Sequence, residues 1–66
     1  MRFRCRLWQD KGSRLTSGET KRAATERAKA FVMGGSNRFA EVLRMSRPEE
    51  LVTRYHYDSE LQYIEY

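Results

Sequence analysis

The stretch Met1-Arg2-Phe3-Arg4-Cys5-Arg6-Leu7-Trp8 decides how this chain reads. Arginine stands at every second position, with Phe3, Cys5 and Leu7 between. A period of two belongs to a β-strand with one face buried and the other in water. The pattern predicts a strand from Arg2 to Trp8 or Gln9. Phe3, Cys5 and Leu7 would lie on a core, and Arg2, Arg4, Arg6 and Trp8 on the opposite face. Like charges about 6–7 Å apart along one strand face repel each other. The stripe therefore asks for acidic neighbours within the fold or an anionic partner outside it.

Working outward, Asp10-Lys11-Gly12-Ser13 has turn chemistry, and the polar stretch to Gly18 reads as a mobile loop. A helix follows, from Glu19 to Met33. Thr16 and Glu19 have capping-box spacing, with Ser17 as the other candidate cap. Ala24, Ala28, Phe31 and Val32 share one helix face, where the small residues allow close approach to a sheet. Gly34-Gly35 closes the helix, as glycine suits a left-handed C-cap. Phe39 to Met45 reads as a central strand. It puts Phe39, Glu41, Leu43 and Met45 on one side, and Ala40, Val42 and Arg44 on the other. Pro48 to Leu51 reads as one helical turn, introduced by the capping-box spacing of Ser46 and Glu49. Val52 to Tyr57 follows as a strand, Asp58-Ser59-Glu60 as a turn, and Leu61 to Tyr66 as a last strand in a hairpin. The expected fold is a single α+β domain over residues 1–66. Its order is β-α-β-β-β, a mainly antiparallel four-stranded sheet with one helix on one face and the other face open.

Composition narrows the function. Thirteen lysines and arginines stand against nine acids, a formal net charge of +4, and aromatics make up 12 % of the 66 residues. A small basic, aromatic-rich domain suits an acidic partner, either a protein face or nucleic acid. A chain this short buries only about 60 % of its unfolded surface, which leaves little room for a cofactor pocket. Cys5 is the single cysteine and falls on the apolar face of the first strand, where a buried free thiol is expected. One cysteine and one histidine do not build a structural zinc site. No apolar run nears the roughly 18 residues of a membrane span, and no signal-peptide core is visible. These features point to a cytoplasmic protein without metal, cofactor or small-molecule substrate.

The binding residues expected from the pattern are Arg2, Arg4, Arg6 and Trp8 on the open sheet face, with Arg54, Tyr55 and Tyr57; Tyr55, Tyr57, Tyr63 or Tyr66 would extend the aromatic platform according to register. Guanidinium groups on phosphates and aromatic rings under bases are how single-stranded nucleic acid is held. The same groups also suit a protein partner. Alternatively, the arginines pair internally with Glu41, Glu60 or Glu65. A second basic cluster comprises Lys11, Arg14, Lys21, Arg22 and Lys29, with Arg27 near the apolar boundary. It should lie on the helix side, away from the stripe. Arg54, His56 and Asp58 alternate on one strand face, a row that could cleave a phosphodiester as in small RNA-cleaving toxins. No second general base, nucleophile elbow, phosphate loop or metal spacing accompanies it, so a non-enzymatic protein is expected.

Taken as a plan, the chain resembles small phage- or prophage-encoded inhibitors, especially compact β-α-β-β-β anti-CRISPR proteins. The resemblance rests on the Arg2-to-Trp8 strand, the Glu19-to-Met33 helix closed by Gly34-Gly35, and the strands between Phe39 and Tyr66. It covers the whole chain as architecture and carries no residue-level motif. It implies a non-enzymatic inhibitor that docks on a nucleic-acid-binding effector complex, such as a host defence ribonucleoprotein. Many such inhibitors are acidic mimics of DNA. This basic chain departs from them and would grip acidic protein surface, or nucleic acid together with the effector. A basic module that binds DNA or RNA through the same face is the alternative.

Overall fold

The computed structural model describes residues 1–35, 37–58 and 62–65, with 62–64 as backbone. Strand β1 (Phe3–Gln9) turns through Asp10 and Lys11 into β2 (Gly12–Leu15), and helix α1 (Lys21–Val32) follows. Strands β3 (Arg38–Arg44), β4 (Glu50–Asp58) and β5 (Gln62–Glu65) complete one antiparallel sheet in the order β2-β1-β3-β4-β5. The expected class holds, with one helix on one face of an antiparallel sheet.

The core confirms the period-two reading of β1. Phe3, Cys5 and Leu7 are buried together with Ala24, Ala28 and Val32 of α1, Ala40 and Val42 of β3, and Tyr55 of β4. The three helix residues are spaced at i, i+4 and i+8, one stripe along one side. Alanine at two of these positions brings the helix backbone down onto β1. The Cys5 thiol donates to the carbonyl of Ala24 at 3.0 Å. Burial pushes the Cys5 thiol pKa up, so the group stays protonated and inert at neutral pH.

The segment read as a mobile loop, Asp10 to Gly18, instead runs antiparallel along β1. Gly12–Leu15 forms β2, Thr16 N–H donates to the Cys5 carbonyl at 3.0 Å, and Glu19 exchanges two 2.8 Å backbone bonds with Phe3. This pairing also moves the helix start. The Thr16 hydroxyl accepts the Cys5 N–H at 2.9 Å and so serves the strand; the cap is Thr20, whose Oγ1 accepts the Ala23 N–H at 3.1 Å.

Two further expectations are corrected. Gly34 and Gly35 follow the helix, but neither takes a positive φ. Their small size is what the fold uses. The Arg38 guanidinium folds back over them, donates to the Phe31 carbonyl at 3.2 Å and stacks 4.7 Å from the Phe31 ring centre. A Cβ on Gly34 would collide with that guanidinium. The helical turn expected from Pro48 to Leu51 is absent. Ser46 Oγ donates to the Pro48 carbonyl at 2.8 Å in a bend, and from Glu50 onward the backbone pairs with β3. The register of this pair shifts at Val42/Leu43, where Val52 is the extra residue of a bulge. The expected turn at Ser59-Glu60 lies outside the described residues, as do the ends of the last expected strand, Leu61 and Tyr66.

Candidate interaction face

With α1 on one side of the sheet, the described residues place no element over the other. Three cross-strand rows are laid out there by register. Arg6 of β1, Glu41 of β3 and Arg54 of β4 form the middle row. Trp8, Phe39 and His56 form the row on one side of it, and Arg4, Leu43 and Leu51 the row on the other. Residues opposite one another in adjacent strands share a face, so the period of two in β1 carries over to its neighbours.

Glu41 is the hub. Its side chain is only 8 % exposed although no described element covers its face, because its own neighbours close over it. Arg6 Nη1 meets Oε1 at 3.2 Å, Arg54 Nη2 meets Oε2 at 3.2 Å, and the Trp8 indole N–H donates to Oε1 at 3.4 Å. Phe39, in the next row of the same face, packs beside the group. Its ring centre lies 6.1 Å from that of Trp8, tilted by 45°, and the Arg54 guanidinium sits 5.6 Å from it. Both guanidiniums therefore have a fixed carboxylate on one side, and Arg54 has an aromatic face as well.

Arg4 is held by a residue that sequence reasoning did not single out for it. Its Nε and Nη2 meet the two oxygens of Glu49 at 2.7 and 2.8 Å, a bidentate pair. Glu49 falls within the expected helical turn; the bend at Pro48 brings it against Arg4 instead. The Arg4 hydrogen bond holds the Glu49 carboxyl below its usual range, outweighing desolvation, and the charges of Arg4 and Arg6 act in the same direction. A carboxyl lowered in the folded state adds stability above its unfolded pKa of about 4.3, and that contribution is lost as pH falls through the lower folded value. An NMR titration of the side-chain carboxyls should find Glu49 ionising below the ordinary range, and Arg4→Ala should return it there. A Glu49 titration that Arg4→Ala leaves unmoved would remove this pair from the account.

Of the expected binding residues, Arg4, Arg6, Trp8 and Arg54 come together on the uncovered face. Arg2 shares it at the start of the sheet, where Nη1 donates to the Gly18 carbonyl at 2.8 Å. Tyr55 and Tyr57 do not belong there. Tyr55 is buried beneath the helix, with the Lys29 ammonium 5.9 Å from its ring centre, and Tyr57 follows on the same side of β4. Alternation excludes Tyr55 and Arg54 from one face, and register gave the open face to Arg54. Glu65 pairs with Tyr55 on β5, which β3 and β4 separate from β1, and does not meet the stripe. Glu60 lies outside the described residues. In the second basic cluster, Arg14 pairs with Leu7 and so faces the helix side, as expected. Lys11 caps the hairpin, and Lys21, Arg22 and Lys29 belong to α1.

Phe39, Leu43 and Leu51 complete the face and were not among the expected binding residues. Phe39 and Leu43 could have been found from their shared alternation with Glu41; Leu51 could not, because the bulge sets its side. Among the described residues, no three His, Cys, Asp or Glu side chains gather as a metal site, and no helix is long and apolar enough to cross a membrane. No protein-family model, curated protein or solved structure matches the chain.

Proposed function

We propose that this protein is a small non-enzymatic interaction module that docks on an acidic partner protein through the open sheet face. The observation that carries the reading is the Arg6–Glu41–Arg54 row, locked beside Trp8 and Phe39 on a face that no described element covers. Tryptophan and arginine dominate the binding energy of protein interfaces. Side chains fixed before contact lose less entropy on binding. Leu51 at 49 % and Trp8 at 38 % exposure supply apolar area at the ends of the rows. Three guanidiniums share two carboxylates on this face, and the whole chain carries +4, so the complementary surface is acidic.

The resemblance to compact anti-CRISPR inhibitors supplies a partner class, a nucleic-acid-binding effector complex in a host cell. Direct grip of nucleic acid is the weaker reading, since Tyr55, which would have extended a platform for stacked bases, is buried beneath the helix. A capture experiment from bacterial lysate, run with and without nuclease, tests the two. The expected result is an effector complex retained after nuclease treatment. In a titration with that purified complex, Trp8→Ala should bind about 30-fold or more weakly, while Arg22→Ala on the helix is unchanged. Equal binding by Trp8→Ala would dismiss the face. Steep salt-dependent binding to generic DNA or RNA, with a log–log slope of roughly −2 to −3, would replace the protein partner with nucleic acid.

A further inference from the structure

A second surface, independent of the open face, lies at the β2 edge of the sheet. Among the described residues β2 has β1 as its one neighbour, all four of its residues are exposed, and α1 does not reach it. The Thr16-to-Cys5 bond fixes the phase of this ladder. Cys5/Thr16, Leu7/Arg14 and Gln9/Gly12 are then the hydrogen-bonding pairs, and alternation turns the N–H and C=O groups of Ser13 and Leu15 away from the sheet. Those four groups form a template for one more strand. On the helix side they border a groove of about 570 Å³, whose lining includes Leu7, Ala23, Ala30, Phe31 and Arg14. Glu26 lines the same groove and Arg27 is already held by Glu19 at 3.0 Å; Arg14 has no ion pair among the described residues.

Charge chooses the occupant. In a second copy of this chain, the antiparallel register that uses all four free groups sets Arg14 directly opposite Arg14. That position is a non-hydrogen-bonded pair, where side chains are closest and like charges repel. An acidic strand turns the same position into an ion pair. We propose that β2 accepts an extended acidic segment of a partner protein as a sixth strand. Carboxylates on the segment's helix side face Arg14, and apolar residues on its other side lie beside Leu15, which is 48 % exposed.

The probe is a capped eight-residue peptide alternating valine and glutamate, titrated into ¹⁵N-labelled protein. The amides of Ser13 and Leu15 should shift saturably by about 1 mM peptide, where even millimolar affinity half-saturates the site. Arg14→Glu, an exposed substitution, should weaken this peptide about tenfold and favour the matching valine–lysine peptide instead. The rest of the spectrum should be unchanged, which reports that the variant folds. Methylation of the peptide amides that face β2 should abolish binding. Absence of shifts at Ser13 and Leu15, equal affinity for the lysine peptide, or tolerance of amide methylation would each overturn the proposal. Shifts at these amides that grow with protein concentration alone would also overturn it, in favour of a second copy.

Discussion

Replacing Glu41 with alanine is expected to cost about 2–3 kcal/mol of folding stability, although the residue lies on the face of the sheet that no described element covers. The carboxylate is buried by the groups that bond to it, namely Arg6, Arg54 and the Trp8 indole. Its removal leaves two guanidiniums facing each other across three strands with no anion between them, and an indole N–H without its acceptor. Removing one partner of a fully buried pair costs about 3–5 kcal/mol. Here the arginine side chains remain 38 % and 43 % exposed, so water recovers part of that cost. A chain of 66 residues has a total stability of only about 3–10 kcal/mol, so the loss is a large share. Urea denaturation should show the midpoint falling with an unchanged slope. Glu41→Gln keeps the shape and one acceptor and should lose roughly half as much. A Glu41→Ala midpoint within about 0.5 kcal/mol of the parent would mean the row is an ordinary solvated surface, and the preorganised docking face would fall with it.

The parts of this architecture that were legible in the sequence are the parts encoded by local periodicity. Arg2 to Trp8 announces a strand and its faces, and the Ala24, Ala28 and Val32 stripe announces the helix side that meets it. Glu41 was identifiable as a neutraliser because a central strand beside an arginine stripe needs one. The illegible parts depend on contacts between distant segments. Gly12-Ser13-Arg14-Leu15 has little intrinsic strand preference; pairing with β1 makes it a strand. Thr16 has the spacing of a helix cap, yet its hydroxyl is taken by the Cys5 N–H. The register of β4 on β3 sets Arg54 against Glu41 and Tyr55 against Ala40, which sends Arg54 outward and Tyr55 inward, and the bulge at Val42/Leu43 brings Leu51 to the outward side. Glu49 meets Arg4 through a bend whose course no pattern in residues 46–49 describes.

Ala28→Leu is expected to cost about 3 kcal/mol or more, the upper part of the range for overpacked cores. Ala28 is fully buried in the seam between α1 and the sheet. The closeness of that seam is visible at the neighbouring contact, where the Cys5 thiol reaches the Ala24 carbonyl at 3.0 Å. With Ala28 already fully buried, three added carbons press against the sheet, so the helix must rise or tilt. It is pinned at its start, since Glu19 holds Phe3 through two 2.8 Å bonds and Thr20 caps the first turn. Lifting it would also strip cover from Ala40 and Val42, which flank Glu41 on the opposite side of β3. Thermal unfolding should register the change as a Tm lower by about 12–24 °C, at 4–8 °C per kcal/mol for a domain of this size. Ala30→Leu is the control on the same helix. Ala30 is exposed, leucine is nearly as good a helix former, and the Tm should move by no more than about 4 °C. If the two variants melt together, the helix does not depend on small residues for its seat. The uncovered face would then have a deeper and more forgiving layer beneath it than Ala24 and Ala28 provide.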